Sequence, residues 1–452
     1  MTLTRNPPFG HPIRSTHFQF APTYKPVNHG SFGTHPAPVR AAHYDLQSIA
    51  IGRPDTFISF DTHPLLAESR SLLAPLLGVS DSEIVFLPNA TTGINTVLRN
   101  IKFEEGDVVV AFSTIYAACE KTLASIGEML PVEVQKVNLV YPIEDDEIVR
   151  RFRETIEKVR GDGKRVRLAM FDTVLTFPGA RFPWEKCVDV CKELGVLSLI
   201  DGAHGIGHID LTHLGKVDPD FFVSNCHKWL YTPRACAVFY VPIRNQHLIR
   251  TSIPTSHGYQ YLSQPPEDTF GLSDFTHLFE FVATMDYTPY LCIKAALEFR
   301  NKVCGGEAVI RQYCYMIARQ GGEIMARILE TSVMDTKNGT MRDCAFANVE
   351  LPLLFKEGEV DASKGELDIS QAENIGSWIK LTAAREFDTY LQTAFHGGKL
   401  WVRFSGQIYL EKSDFEWVGP RLKELCERVK KGDVSELAQL RAAKLDEAVI
   451  EG

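Results

Sequence analysis

The chain has 452 residues, 44% of them hydrophobic and 23% charged, with a formal net charge of −9. That length supports more than one domain, and the balance is that of an ordinary globular protein. An acidic chain without basic stripes excludes a binder of nucleic-acid backbones, and no apolar stretch approaches the ~20 residues of a membrane span. Residues 1–30, rich in Pro, Phe and Arg, read as an extended N-terminal arm. Asn28, His29 and Gly30 begin a turn-rich loop, NHGSFG, ahead of a helix predicted over 36–49. From the residues alone, His29 reads equally as a loop histidine satisfied by backbone. An apolar helical segment over 69–77 leads to a short strand over 84–87. The turn after it, PNATTGIN, passes from strand to helix through Ala90, Thr91 and Thr92. Open N–H groups at such a helix start suit a phosphate, although threonine is also a plain helix cap. A strand over 107–112 is followed by Tyr116, and a charged amphipathic helix covers 144–160. The strand over 167–174 ends near Asp172 and Thr176, and a helix over 183–194 connects it to the next strand.

The apolar run over 196–200 stops abruptly at Asp201. A second run, 221–224, leads into Asn225, Cys226, His227 and Lys228. Strand–helix–strand at this rhythm predicts right-handed crossovers and a mostly parallel sheet with helices on both faces. Ligands of such sheets sit beyond the carboxyl ends of the strands, where Asp201 and Lys228 both stand. Pyridoxal phosphate (PLP) needs a lysine for its Schiff base and a carboxylate at its pyridinium nitrogen. On spacing alone, a structural Asp–Lys pair accounts for them equally well. His204, His208 and His213 have zinc-like spacing, but no cysteine or acid cluster completes a site, so no metal is expected. Residues 255–266 read as a mobile lid rich in Pro, Gly and polar residues. Residues 31–290 are expected to form a large domain and 291–452 a smaller α/β domain. In the latter, Arg403 ends a strand among Trp401, Val402 and Phe404. Its guanidinium matches a carboxylate bidentately. The ten cysteines contain no CxxC pair, and the N-terminus lacks the apolar core of a signal peptide. A cytoplasmic location is therefore expected.

The segments IDGAHGIG and SNCHKWLYTP, with NHGSFG, NATTGIN and RFSGQIYLEKSDFEW, resemble the class V aminotransferase family of fold-type I PLP enzymes. That family includes cysteine desulfurases, isopenicillin N epimerase and fungal hercynylcysteine sulfoxide lyases. The resemblance implies that Lys228 forms the Schiff base, Asp201 partners the ring nitrogen and His204 lies near the phenolic oxygen. Ala90, Thr91, Thr92, Asn225 and His227 would hold the phosphate, and Tyr116 would stack on the ring. Asp172 and Thr176 are further candidates for cofactor contact. Arg403 would bind the substrate α-carboxylate, with Asn28, His29 and Gly30 lining the substrate pocket. Ala283 and Thr284 stand where relatives carry a Gly-Thr pair, whose threonine reaches the neighbouring subunit's phosphate. A homodimer with shared active sites is thus implied.

The expected activity, by resemblance, is β-elimination at a C–S bond of an amino acid, as in a cysteine desulfhydrase or sulfoxide lyase. No loop cysteine is placed for a persulfide mechanism. The alternatives are an enzyme of secondary metabolism that decarboxylates, epimerises or cyclises a larger amino acid, and a transaminase.

Overall fold

The computed structural model describes residues 7–263 and 271–435. The end of the expected lid, the first residues of the arm and the last part of the expected smaller domain lie outside the described residues. Seven strands form the central sheet: β1 (Ile84–Leu87), β2 (Asp107–Phe112), β3 (Val132–Val137), β4 (Arg165–Asp172), β5 (Leu197–Asp201), β6 (Phe221–Asn225) and β7 (Ala237–Tyr240). Their order is β1-β7-β6-β5-β4-β2-β3. Only β7 runs against its neighbours; the pairs from β6 across to β3 are parallel.

Alternation within the strands explains why both faces are covered. In β2, Val108, Val110 and Phe112 pack into one apolar layer, and Val109 and Ala111 into the other. Successive side chains of a strand point to opposite faces, so an all-apolar run demands helices on both sides. Helices Ala90–Asn100 and Ala117–Met129 cover one face, and Asp145–Gly161 and Trp184–Glu193 the other. Each fully buried Val or Phe contributes about 1.5–3 kcal/mol, so these strands are anchored along their whole length. Their C-terminal ends are rigid mounts for polar side chains.

The smaller domain holds β8 (Phe346–Glu350), the short parallel pair β9 (Leu354–Lys356) and β10 (Glu366–Asp368), β11 (Gln392–His396) and β12 (Lys399–Ser405). Strands β11, β12 and β8 form an antiparallel sheet. Helices Glu307–Leu329, Ala372–Glu386 and Lys412–Lys430 pack against it.

The N-terminal arm differs from expectation. Residues His11–His17 form a helix with Pro12 in its first turn, a position that tolerates the missing N–H. Gly10 N–H donates to Ile408 O at 2.7 Å, and Arg14 pairs with the buried Asp414 at 2.5 Å. A helix this short does not stand alone in water; contacts some 400 residues away hold it, and local periodicity does not register them. The NHGSFG loop also tightens into a helical turn, His29–Phe32.

Candidate active site

Three parallel strands end side by side. Asp172 closes β4, Asp201 closes β5 directly opposite it, and Asn225 closes β6. The chain then turns at once into the short helix Cys226–Trp229, which carries Lys228 over the strand ends. All of these strand-end side chains are buried.

Two carboxyls so close in a buried place share little charge. Burial pushes both upward, and for Asp172 the neighbouring Asp201 adds to the shift. Asp201 keeps the negative charge of the pair. It accepts an N–H from Ala203 at 2.9 Å and a thiol contact from Cys119 at 3.4 Å, and both favour its ionised form. Asp172 takes the proton.

Burial lowers the Lys228 amine to about 8, while Asp201 opposes the shift and Arg403 reinforces it. At pH 7 roughly a tenth of an amine with that pKa is free base, several hundred-fold more than for an ordinary lysine. The sign is fixed: the nucleophilic fraction grows as pH rises and levels off above about 8. Stopped-flow addition of pyridoxal phosphate to cofactor-free protein should show an uptake rate that rises with pH to a midpoint near 8. A rate still climbing at pH 10 would mean that this lysine is unperturbed.

Lys228 Nζ lies 3.4 Å from His204 Nε2, and Thr176 Oγ1 lies 3.3 Å from the same nitrogen. Burial, reinforced by Lys228 and Arg403, holds His204 well below its ordinary range, so it is neutral. Arg403 is buried. It donates to Thr176 O at 2.5 Å, Asn28 Oδ1 at 3.0 Å and Ser31 Oγ at 2.9 Å, and it sits over the Phe346 ring at 4.5 Å. Its Nε has no partner. Among the described residues, neither Lys228 nor Arg403 makes a salt bridge. Burial lowers Arg403 to about 10, so the guanidinium stays charged at neutral pH and lacks a counter-ion.

The expected substrate-side residues are tied into the protein. His29 Nε2 donates to Lys228 O at 2.5 Å, and its Nδ1 meets Tyr409 Oη at 2.8 Å, so it positions the lysine's backbone. Gly30 N–H is likewise taken, by Ser405 Oγ at 3.0 Å, and a side chain there would strike Phe346. Asn28 does reach the pocket, through Arg403. Gly33, with φ +65°, lets the same loop lie against the backbone of His227 and Lys228; a Cβ there would come within 2.0 Å of His227 O.

At the phosphate turn, Ala90 N–H donates to Asn225 Oδ1 at 2.8 Å and Thr92 N–H to Asn89 Oδ1 at 2.9 Å. Two of the three expected amides are thus engaged by side-chain caps, and Thr91 lies between them. His227 Nδ1 is held at Cys236, 2.9 Å from its carbonyl oxygen, so Nε2 is the nitrogen able to meet a ligand. Tyr116 stands after β2 at the head of helix Ala117–Met129, 43% exposed. Thr284 is exposed in a bend away from these groups. The residues to which sequence reasoning gave no part in this site are Cys119, Ser31, Trp229 and His208. Ser31 and Trp229 lie within quoted motifs and His208 directly follows one; Cys119 is brought in by a contact between distant segments.

The model of the class V aminotransferases (Aminotransferase class-V) matches residues 43–347. The chain belongs to the class V aminotransferase family. It is 38% identical over 441 residues to an L-cysteine desulfhydrase-like protein of Epichloe uncinata, covering 93% of this chain and 97% of the relative. The hercynylcysteine sulfoxide lyase of Schizosaccharomyces pombe is 31% identical, over 94% of this chain and all of its own length. Among solved structures, the cystine C–S lyase C-DES superposes with a TM-score of 0.70 at 18% identity, over 89% of this chain and 97% of its own. A mutant of C-DES with glycine linked to its PLP cofactor gives a TM-score of 0.73 at 17% identity, over 91% and 98%. The fold is therefore that of the fold-type I PLP enzymes. The site of this class V aminotransferase fits PLP on its own terms: an uncompensated amine at Lys228, a charged carboxylate at Asp201, and a helix start at Ala90.

Proposed function

We propose that this class V aminotransferase is a PLP-dependent C–S lyase acting on cysteine or a cysteine S-derivative. With water, cysteine would yield hydrogen sulfide, an S-conjugate a thiol and a sulfoxide a sulfenic acid, in each case with pyruvate and ammonia. The reading is carried by a buried Arg403 guanidinium that has no carboxylate partner among the described residues, near a lysine whose amine is lowered to about 8, in a chain whose full-length relatives are named for cysteine desulfhydration and sulfoxide lysis.

When bound, PLP supplies an electron sink for negative charge at the substrate Cα. Asp201 holds the proton on the ring nitrogen. Thr91, Thr92, Asn225 and His227 hold the phosphate, with Ala90 as the small residue beneath it, and Tyr116 covers the ring. His204, hydrogen-bonded to Thr176, would serve the ring's oxygen side, and Asp172, opposite Asp201, is a further candidate for cofactor contact. Arg403, itself held by Asn28, binds the α-carboxylate and fixes which Cα bond faces Lys228. Lys228 Nζ then takes the Cα proton.

One observation separates elimination from persulfide transfer. All ten cysteines are buried and free, and burial raises the thiol of Cys119 far above its ordinary value. A persulfide route requires an accessible thiolate. Incubation with L-cysteine, cysteine S-conjugates and their sulfoxides should release pyruvate and ammonia in equal amounts with the sulfur product. Formation of a keto acid only when a second keto acid is supplied would make the enzyme a transaminase, and release of carbon dioxide a decarboxylase.

The same reading includes a homodimer in which Thr284 meets the partner's phosphate site. Support comes from large apolar side chains left exposed on neighbouring segments: Tyr44, Ile49 and Ile51 of helix Ala37–Gly52, and Phe60 after it. Such a patch marks an interface. Light scattering should return twice the chain's 50.7 kDa; a monomer that still turns over substrate would defeat the shared-site arrangement. No helix among the described residues is long and apolar enough to cross a membrane. Ten free thiols suit a reducing compartment, the cytoplasm.

A further inference from the structure

A chain of ring contacts behind Lys228 fixes the state of His204. Trp229 Nε1, a donor only, gives its hydrogen to His204 Nδ1 at 3.2 Å. A neutral imidazole that accepts at Nδ1 carries its proton on Nε2. That nitrogen lies 3.3 Å from Thr176 Oγ1, which accepts its hydrogen, and 3.4 Å from Lys228 Nζ, which can accept it only as the free amine. The tryptophan is itself immobilised. It is 1% exposed, and its ring stacks on His208 with centroids 3.9 Å apart and planes at 19°. Ala345 N–H donates to His208 Nε2 at 2.7 Å, so His208 carries its proton on Nδ1 and donates it to His204 O at 2.8 Å. Phe346 packs edge-on against Trp229, His204 and His208. Ala345 and Phe346 belong to the smaller domain, so the second domain clamps the arrangement from behind.

We infer that Trp229 is a positioning residue that locks His204 as the Nε2–H tautomer, making it a hydrogen-bond donor, never a base, on the side facing Lys228. This inference rests on the PLP reading for its chemical use but not for the tautomer itself. With the cofactor bound, a fixed donor beside the phenolic oxygen stabilises that oxygen as an anion and weakens its hold on the proton shared with the Lys228 nitrogen. The charged and titratable groups facing His204 are Lys228, Arg403, His208 and His29. None of them supplies a donor to His204 Nδ1. Trp229→Phe keeps an aromatic ring beside His208 and removes the N–H together with part of the indole.

Nitrogen-15 NMR of ring-labelled histidine in cofactor-free protein reads the tautomer directly, with His204 assigned by its loss in His204→Asn. Wild type should show Nδ1 bare and Nε2 protonated, and Trp229→Phe should show a mixture or the reverse. A wild-type Nδ1–H overturns the inference without need of any variant, as does a Trp229→Phe spectrum identical to wild type. In cofactor-loaded protein, Trp229→Phe should move the pH midpoint of the visible cofactor band upward by about one unit. An unmoved midpoint together with a switched tautomer would show that His204 does not touch the cofactor. Absence of any band in wild type would instead strike at the PLP reading, leaving the tautomer result standing.

Discussion

Lys228→Ala is expected to lower turnover by at least about 10⁴-fold, because one side chain supplies both the covalent anchor and the proton acceptor. Lys228 is positioned by backbone contacts that do not involve its amine: His29 Nε2 on its carbonyl oxygen, and Gly33 against its Cα. The variant should therefore fold with an unchanged far-ultraviolet circular dichroism spectrum and still take up the cofactor without covalent attachment. Substrate added to it should bind and stay. A variant that retains more than a hundredth of wild-type turnover would remove Lys228 from the chemistry.

Arg403→Met is the second substitution with a large expected effect, and it divides function from stability. The guanidinium is buried with no carboxylate beside it, and burial lowers it to about 10. Holding a lone charge in such a place costs several kcal/mol. Losing its hydrogen bonds to Thr176 O, Asn28 and Ser31 costs about 1–3 kcal/mol for each buried acceptor left open. These terms oppose one another, so the melting temperature should move by only a few degrees. Binding of the substrate carboxylate has no such compensation. A lost charge-assisted bidentate pair is worth roughly 3–4 kcal/mol, so kcat/KM should fall by about 10²–10³-fold, mostly through KM. If KM is unchanged, or activity falls only as far as the protein unfolds, Arg403 is structural.

These two residues were the most legible in the sequence, and for a physical reason. Strand ends in a parallel sheet are announced by where an apolar run stops, and Asp201, Asn225 and Arg403 each interrupt or close such a run. The mostly parallel sheet follows from the same runs, but the position of the antiparallel β7 between β1 and β6 does not. What the sequence hides is pairing at a distance. The two ring nitrogens of His29 are found on Lys228 and Tyr409, 199 and 380 positions away. The donors expected at Ala90 and Thr92 are taken by Asn225 and Asn89, and only the folded turn reveals that competition. Asp172 and Asp201 are separated by 29 positions yet stand opposite each other, so neither one's proton is assignable until the register is known. The helix His11–His17 is likewise a product of its contacts with Ile408, Tyr409 and Asp414.

The most direct test is to reduce the cofactor-loaded protein with borohydride, digest it and locate the added group by mass spectrometry. The expected result is a single phosphopyridoxyl group on the peptide that contains Lys228, absent when that residue is replaced. A label on a different lysine, or none after saturation with pyridoxal phosphate, would contradict the assignment of this site.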